Sequence, residues 1–233
     1  MINKIVSSAT DALRGVKDGA VILIAGFGSS GIPVELIEAL IEQGARHLTL
    51  VTNNAGTGRT DVAKLLSLGR VRKIVCSYPR SPGSVVFEEL YAAGKIELEL
   101  LPQGTLSERM RAAGAGIGGF YTPTAVGTRL AEGKELRTID GREFVFERPL
   151  KGDVALIKAE RADRWGNLTY RLAARNFAPT MAMASGLTIV QTRKIVELGD
   201  IPPESVVTPG IFVDRVVEIP NPKQPGQTQE SVG

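Results

Sequence analysis

The chain is nearly devoid of residues that do chemistry on their own. It has one histidine, His47, and one cysteine, Cys76, in 233 residues. A disulfide framework is therefore excluded, as is a metal cage of histidine and cysteine ligands built within the chain; no metal site is expected. Any Ser-His-Asp or Cys-His arrangement would have to use His47. That residue stands between Arg46 and Leu48 at the start of an apolar run, at the opposite end of a strand from where ligands collect, so a surface or packing role is favoured. Cys76 lies inside an apolar run and reads as a small buried hydrophobe. A large charge of one sign is also lacking. The chain has 28 basic and 25 acidic residues, a net +3, and no basic block supports binding to nucleic acid or to a membrane surface. No apolar run reaches the ~18 residues of a membrane-spanning helix, and residues 1–14 are polar and mixed in charge, unlike a leader. A reducing, cytoplasmic location is the expectation. Aromatics are scarce at 5%, whereas glycine is abundant at 26 residues, well above the usual ~7%. That surplus sits in loops that follow apolar runs.

The order of those runs gives the fold class. Ile5 to Arg14 carries Val6, Ala9 and Leu13 at helical spacing and stops at Gly15, which predicts a helix. Ala20 to Ala25 is an unbroken apolar run of strand length, as expected for a strand buried on both faces. Pro33 then opens a helix over Val34 to Gln43, with Leu36, Ile37, Leu40 and Ile41 on one stripe. The unit repeats in outline, with strands at Leu48 to Thr52, Val71 to Ser77 and Ile96 to Leu101. Helices are expected between and after them at Val62 to Leu68, Val85 to Ala93 and Leu106 to Ala113. Such alternation predicts an α/β fold, an open and mostly parallel sheet with flanking helices. After Gly114 the stretch to Gly119 is too glycine-rich for a helix. Leu136 to Ile139 and Arg142 to Val145, joined by Asp140-Gly141, read as a hairpin on a type I′ turn. Val154 to Lys158, Leu187 to Thr192 and Ile211 to Val217 read as further strands of the same sheet. No polar linker separates the halves, so residues 1–219 are expected to form one domain. Residues 220–233, with three prolines among polar residues, are expected to be a disordered tail.

Three loops at one sheet edge are the candidates for function. Gly26-Phe27-Gly28-Ser29-Ser30-Gly31 fits G-x-G-x-x-G between a strand and a helix, the context a dinucleotide fingerprint requires. That fingerprint also needs an acid near the end of the second strand. Here Leu50-Val51-Thr52-Asn53-Asn54 holds none, and the nicotinamide reading loses most of its support. What survives is a turn where backbone can approach an anionic ligand, and a tight turn with no ligand explains the pattern equally well. Asn53-Asn54-Ala55-Gly56 ends the second strand, so its amides can donate to a developing oxyanion or merely cap a turn. Pro102-Gln103-Gly104-Thr105 takes the equivalent place after the fourth strand, which aims Gln103 at the same crevice. Ser77, the last residue of the third expected strand, begins a stretch, Ser77-Tyr78-Pro79-Arg80, that can reach the crevice rim. Glu88, Glu89, Glu97 and Glu99 fall on helices or alternate along strands and read as solvated faces. The residues thus provide a place for an anion and donors for an oxyanion, with no convincing nucleophile or base. A nucleotide- or sugar-phosphate-binding module, an acyl-CoA hydrolase and a nicotinamide oxidoreductase stay open as alternatives.

The stretch from Asp18 to Pro33 resembles the signature of the alpha (A-type) chains of family I coenzyme A transferases, with Ala25 where many members have a second glycine. The resemblance continues through Thr52 to Gly56, Pro102 to Leu106, Gly116 to Thr128, Asn167 to Arg171 and Ala174 to Phe177, covering nearly all of residues 1–219. It implies the CoA-transferase (NagB/RpiA-like) fold and an active site completed by a B (beta) subunit, in a heterodimer or heterotetramer. The partner would carry the nucleophile, a glutamate that forms a glutamyl-CoA thioester. The coenzyme A thioester would be a substrate, with no cofactor permanently bound. Carried over, Asn53 would be the oxyanion-side amide and Gln103 a substrate-contacting amide. Ala25, Gly26, Phe27, Gly28, Ser29, Ser30 and Gly31 would form the CoA-binding segment, and Gly118 to Pro123 would shape the acyl pocket. Asp163 to Tyr170, with Trp165, looks most like the branch that activates 3-oxoadipate with succinyl-CoA in the beta-ketoadipate pathway of aromatic catabolism. The branch acting on acetoacetate is the alternative. Arg59, in Thr57-Gly58-Arg59-Thr60-Asp61, could face a distal carboxylate or be a solvated loop residue.

Overall fold

The glycine-terminated apolar runs become the strands of a parallel sheet. The computed structural model describes residues 2–226. A single helical turn, α1 (Ala9–Ala12), precedes strands β1 (Val21–Ile24), β2 (Leu48–Val51), β3 (Val71–Cys76) and β4 (Glu97–Leu100). These are followed in turn by helices α2 (Val34–Gln43), α3 (Asp61–Ser67), α4 (Val86–Ala92) and α5 (Gln103–Gly114). The rest of the chain supplies β5 (Phe120–Thr122), β6 (Leu136–Ile139), β7 (Arg142–Glu147), β8 (Gly152–Asp163), β9 (Leu168–Thr169), α6 (Ala178–Ala184), β10 (Ser185–Val196) and β11 (Arg215–Glu218). The main sheet runs β11-β10-β8-β1-β2-β3-β4. Every neighbouring pair on that path is parallel, and β9 is antiparallel on β8.

Alternate residues of one strand serve opposite layers. Ile22 and Ile24, Leu48 and Leu50, and Ile74 pack with Leu13 at the end of α1, Leu36 and Leu40 of α2, and Leu65 and Leu66 of α3. Leu23, Val51 and Val75 point the other way, against Leu106 and Met110 of α5 and Met181 of α6. Helices on both faces explain why the strands read as continuous apolar runs. Burying one such Leu or Ile contributes roughly 1.5–3 kcal/mol. The helices also orient the sheet, because each βα connection returns to the same end and leaves the loops after β1 to β4 side by side.

Four expectations are refined. The helix expected over Ile5 to Arg14 shrinks to α1, since Ser8 Oγ accepts from the Asp11 N–H at 3.0 Å and fixes the start. Upstream, Val6 N–H donates to Val216 O at 2.8 Å, so residues that look helical by spacing extend along β11 instead. The strand expected from Ile211 begins at Arg215, after a 3₁₀ turn over Gly210–Phe212. The Asp140-Gly141 turn forms as expected, with φ of +49° and +75°, but its hairpin lies outside the main sheet, in a three-stranded antiparallel sheet β5-β7-β6. Buried Glu147 ties that sheet to the main body, meeting Lys134 at 2.5 Å and Arg109 at 3.9 Å. Of the segment expected to be disordered, residues 220–226 lie along α2 and α3. Lys223 N–H donates to Glu35 at 2.6 Å, Lys223 Nζ meets Glu38 at 2.6 Å, and Gly226 N–H donates to Asp61 at 3.0 Å. Residues 227–233 lie outside the described residues. No helix among the described residues is long and apolar enough to cross a membrane.

Candidate functional site

Four loops meet where β1 to β4 end. They surround two adjoining hollows of about 430 and 590 Å³. Gly28, Ser29, Asn54 and Thr57 line both, so the hollows are lobes of one crevice, divided by the glycine turn and the loop after β2. Ligands of open parallel sheets bind at this edge.

Asn53 is the buried polar group of the second lobe, only 5% exposed. Its Oδ1 accepts two hydrogen bonds at 2.8 Å, one from Ser77 Oγ and one from Gln103 Nε2. The three residues come from the ends of β2, β3 and β4, and the backbone supports them: Ser77 and Tyr78 N–H both donate to Asn53 O, at 3.2 and 3.0 Å. Two donors on the amide oxygen fix its orientation. Nδ2 is then left facing the crevice with no acceptor among the described residues. An amide N–H held this way can donate to an oxygen that gains negative charge, without reorganising first. Asn54 behaves differently: its Oδ1 accepts from Gly56 N–H at 2.9 Å, closing an Asx turn. Both neighbouring asparagines line the crevice, but Asn54 spends its oxygen on a local turn and Asn53 has its oxygen held from other strands.

The glycine turn is built around reciprocal bonds between Phe27 and Ser30, at 2.9 and 3.0 Å. Gly28 and Ser29 stand at its tip, their N–H groups without protein acceptors among the described residues. Asn176 clamps the turn from outside. Its Oδ1 accepts from Gly26 N–H at 3.0 Å, and its Nδ2 donates to Ser30 O at 3.2 Å and to Ala174 O at 2.9 Å. Gly31 sits under this clamp with φ +73°, where a Cβ would lie 2.5 Å from Ala174 O and Asn176 Nδ2. Only glycine meets both the backbone angle and the close approach.

The residues selected by sequence divide accordingly. Ala25, Gly26, Gly28 and Ser29 line the first lobe; Phe27, Asn53 and Gln103 line the second. Ser30 and Gly31 line neither, but hold the turn in shape. Gly118 to Pro123 runs into β5 of the small sheet, away from the lining of both lobes. His47 is exposed at the start of β2, at the opposite edge. Two residues carry roles at the site that sequence reasoning does not assign. Ser77 reads from sequence only as a rim residue, and its one signal is its place at the end of the third expected strand. Asn176 has no local signal for its clamp, because its partners at Gly26 and Ser30 are about 150 residues away in the chain.

The acid–base inventory of the crevice is thin. Burial pushes the Cys76 thiol up to about 12, which leaves it without thiolate character. Asp61 lines the first lobe. Burial raises its pKa, and Glu38 and Glu35 add to that, against the bond from Gly226 N–H and one from Thr60. Arg59 is the one cationic side chain lining either lobe among the described residues. Neither lobe is lined by a glutamate, cysteine or histidine among those residues, and the described residues contain no group of three His, Cys, Asp or Glu placed to hold a metal ion.

Comparisons with known proteins give the family. The chain is 59% identical over 219 residues to the alpha-type (A) chain of the 3-oxoadipate CoA-transferase of Pseudomonas putida, covering 94% of this chain and 95% of that one. It is 57% identical over 219 residues to the protein of the same description in Acinetobacter baylyi, covering 94% and 96%. Among solved structures it superimposes on an acyl-CoA transferase from Escherichia coli O157:H7, in a thioester complex with CoA, with a TM-score of 0.84 and 25% identity. That match covers 97% of this chain and 51% of the other, so this chain spans about half its length. The family model described as coenzyme A transferase matches residues 6–219, and the chain belongs to the coenzyme A transferase family.

Proposed function

We propose that this chain is the alpha-type half of a 3-oxoadipate CoA-transferase that takes CoA from succinyl-CoA, in the cytoplasm, and that its active site is completed by a beta subunit. The observation that carries the reading is the Asn53 amide, fixed by Ser77 and Gln103 in a crevice that no glutamate, cysteine or histidine lines among the described residues. In the family mechanism a glutamate of the partner chain attacks the thioester carbonyl, the carbonyl oxygen becomes a tetrahedral oxyanion, and its collapse expels the CoA thiolate to leave an acyl-glutamyl anhydride. The thiolate then attacks the glutamyl carbonyl of that anhydride, which releases the donor acid and leaves CoA on the glutamate as a thioester. The acceptor acid then takes CoA in a second step of the same kind. Splitting the exchange in this way replaces one difficult displacement with two easier ones. Asn53 Nδ2 is the donor to the oxyanion, and Gln103 both orients Asn53 and borders the acyl group. The tip of the Ala25 to Gly31 turn, where Phe27, Gly28 and Ser29 border the lobe of Asn53, receives the CoA side of the substrate, with the Gly28 and Ser29 N–H groups available to an anionic oxygen. The thioester is a substrate throughout, and no resident cofactor is needed. The likeness to two 3-oxoadipate transferase chains supports the choice of acid.

The test is reconstitution. The chain is purified alone and with its beta partner, and succinyl-CoA:3-oxoadipate exchange is assayed in each. Exchange is expected only in the mixture, with the thioester label on the partner. Full exchange by the chain alone, or a thioester trapped on this chain, overturns the split site.

A further inference from the structure

We propose that Arg59 is the residue that selects diacids, by pairing with the free carboxylate at the far end of the acyl group. The inference rests on the transferase reading above and deepens it.

The two lobes carry different chemistry. The lobe holding Asn53 is uncharged, lined by hydroxyl, amide and apolar groups, as suits a thioester carbonyl. The other lobe, entered past the shared Gly28, Ser29, Asn54 and Thr57, holds Arg59. An acyl chain whose reacting carbonyl lies at Asn53, in the second lobe, has this first lobe in which to extend. Both acids of the proposed exchange, succinate and 3-oxoadipate, keep one carboxylate free while the other is esterified to CoA. A single cation in the first lobe therefore serves both half-reactions.

Arg59 is free to take such a partner. Its present contact is a single Nη2 that reaches both oxygens of Glu89 at 3.4 Å, with the two side chains 64% and 56% exposed. An ion pair that long and that wet is worth little. A bidentate guanidinium–carboxylate pair inside the lobe would be shorter and stronger. The lobe's one acidic lining residue, Asp61, already accepts from Gly226 N–H, and Pro225 and Gly226 close that side of the lobe. Arg59 stands on the short loop between the Asx turn of Asn54 and the start of α3, where it lines the lobe while its Nη2 meets Glu89.

The test uses the reconstituted pair of chains and two acceptors with one skeleton: 3-oxoadipate, and its monoester in which the distal carboxylate is masked. Three forms of the chain are compared: the parent, Arg59→Met and Arg59→Lys. The parent is expected to prefer the free diacid. Arg59→Met should lose ~10- to 100-fold in kcat/KM for the diacid, leave the monoester nearly unchanged, and so erase the preference; Arg59→Lys should restore part of it. A preference that survives Arg59→Met, or an equal loss on both acceptors, overturns the assignment while exchange itself stands. A parent pair that transfers CoA to neither acceptor overturns the transferase reading, and this inference with it.

Discussion

At the scale of single residues the site depends on amide orientation. On the proposed function Asn53 serves as a donor because its oxygen is already occupied by Ser77 and Gln103, which commits the nitrogen to the crevice. Replacing Asn53 with Ala should lower kcat in the assembled enzyme by ~10- to 1,000-fold with a smaller change in KM, since the lost bond strengthens as charge develops. Steady-state kinetics on the reconstituted pair checks this, and an unchanged kcat reduces Asn53 to a turn residue. Sequence alone points to the Asn53-Asn54 pair and to Gln103 from their places at strand ends. It cannot separate Asn53 from Asn54, because both have the same chemistry and neighbouring positions. The difference is made by Ser77 and Gln103, which reach Asn53 across the sheet from other strands.

At the scale of elements, polar residues on strands need their partners counted before they are assigned to solvent. The alternation of Glu97 and Glu99 in β4 suggests a wet face, and for Glu97 that holds, with Arg72 4.0 Å away and both side chains largely exposed. Glu99 is instead held by Lys73 of β3 at 2.6 Å and by Arg109 of α5 at 2.8 Å. Burial by itself would push its carboxyl up, but the hydrogen bonds from Lys73 and Arg109, helped by their charges, bring it below its ordinary value of 4.5. A carboxyl depressed in the folded state contributes stability that is present above its unfolded value and is lost as pH falls through the folded one. Glu99→Gln should therefore cost about 1 kcal/mol near neutral pH, a modest figure because the group is one-third exposed. The gap to the parent should close as pH drops below ~4.5. Denaturant titrations of both proteins across that range would show it, and a gap constant with pH would refute the linkage. The helices and strands themselves are legible because buried parallel strands write continuous apolar runs. The hairpin's separation from the main sheet is not, since Asp-Gly specifies the turn and says nothing of which sheet its strands join.

At the scale of the whole molecule, the sheet is uneven. β8 and β10 are each 12 residues long and pair over ten registered positions, whereas β1, β2 and β4 have four residues each. Leu156, Ile157, Ile189 and Val190 lie in that central pair with 0% exposure. Their amides should exchange with solvent most slowly, and those of the loop over residues 57–60 among the fastest. Hydrogen exchange followed by mass spectrometry would reveal the order, and a fast central pair would contradict it. The fold class is legible from strand–helix alternation along the first half of the chain. The central place of β8 is not, because sequence order says nothing of spatial order: β8 lies beside β1 and joins the strands of the second half to those of the first.

The way Asn53 is held has a consequence for assembly. Among the described residues, both groups that hold its oxygen belong to this one polypeptide, so on the proposed reading the orientation of the amide does not wait for a partner. The chain can then behave as an interchangeable cassette: combined with beta partners from enzymes of other acceptor preference, it should bring the same oxyanion donor to each hybrid, and leave hybrids to succeed or fail on how well the two surfaces fit.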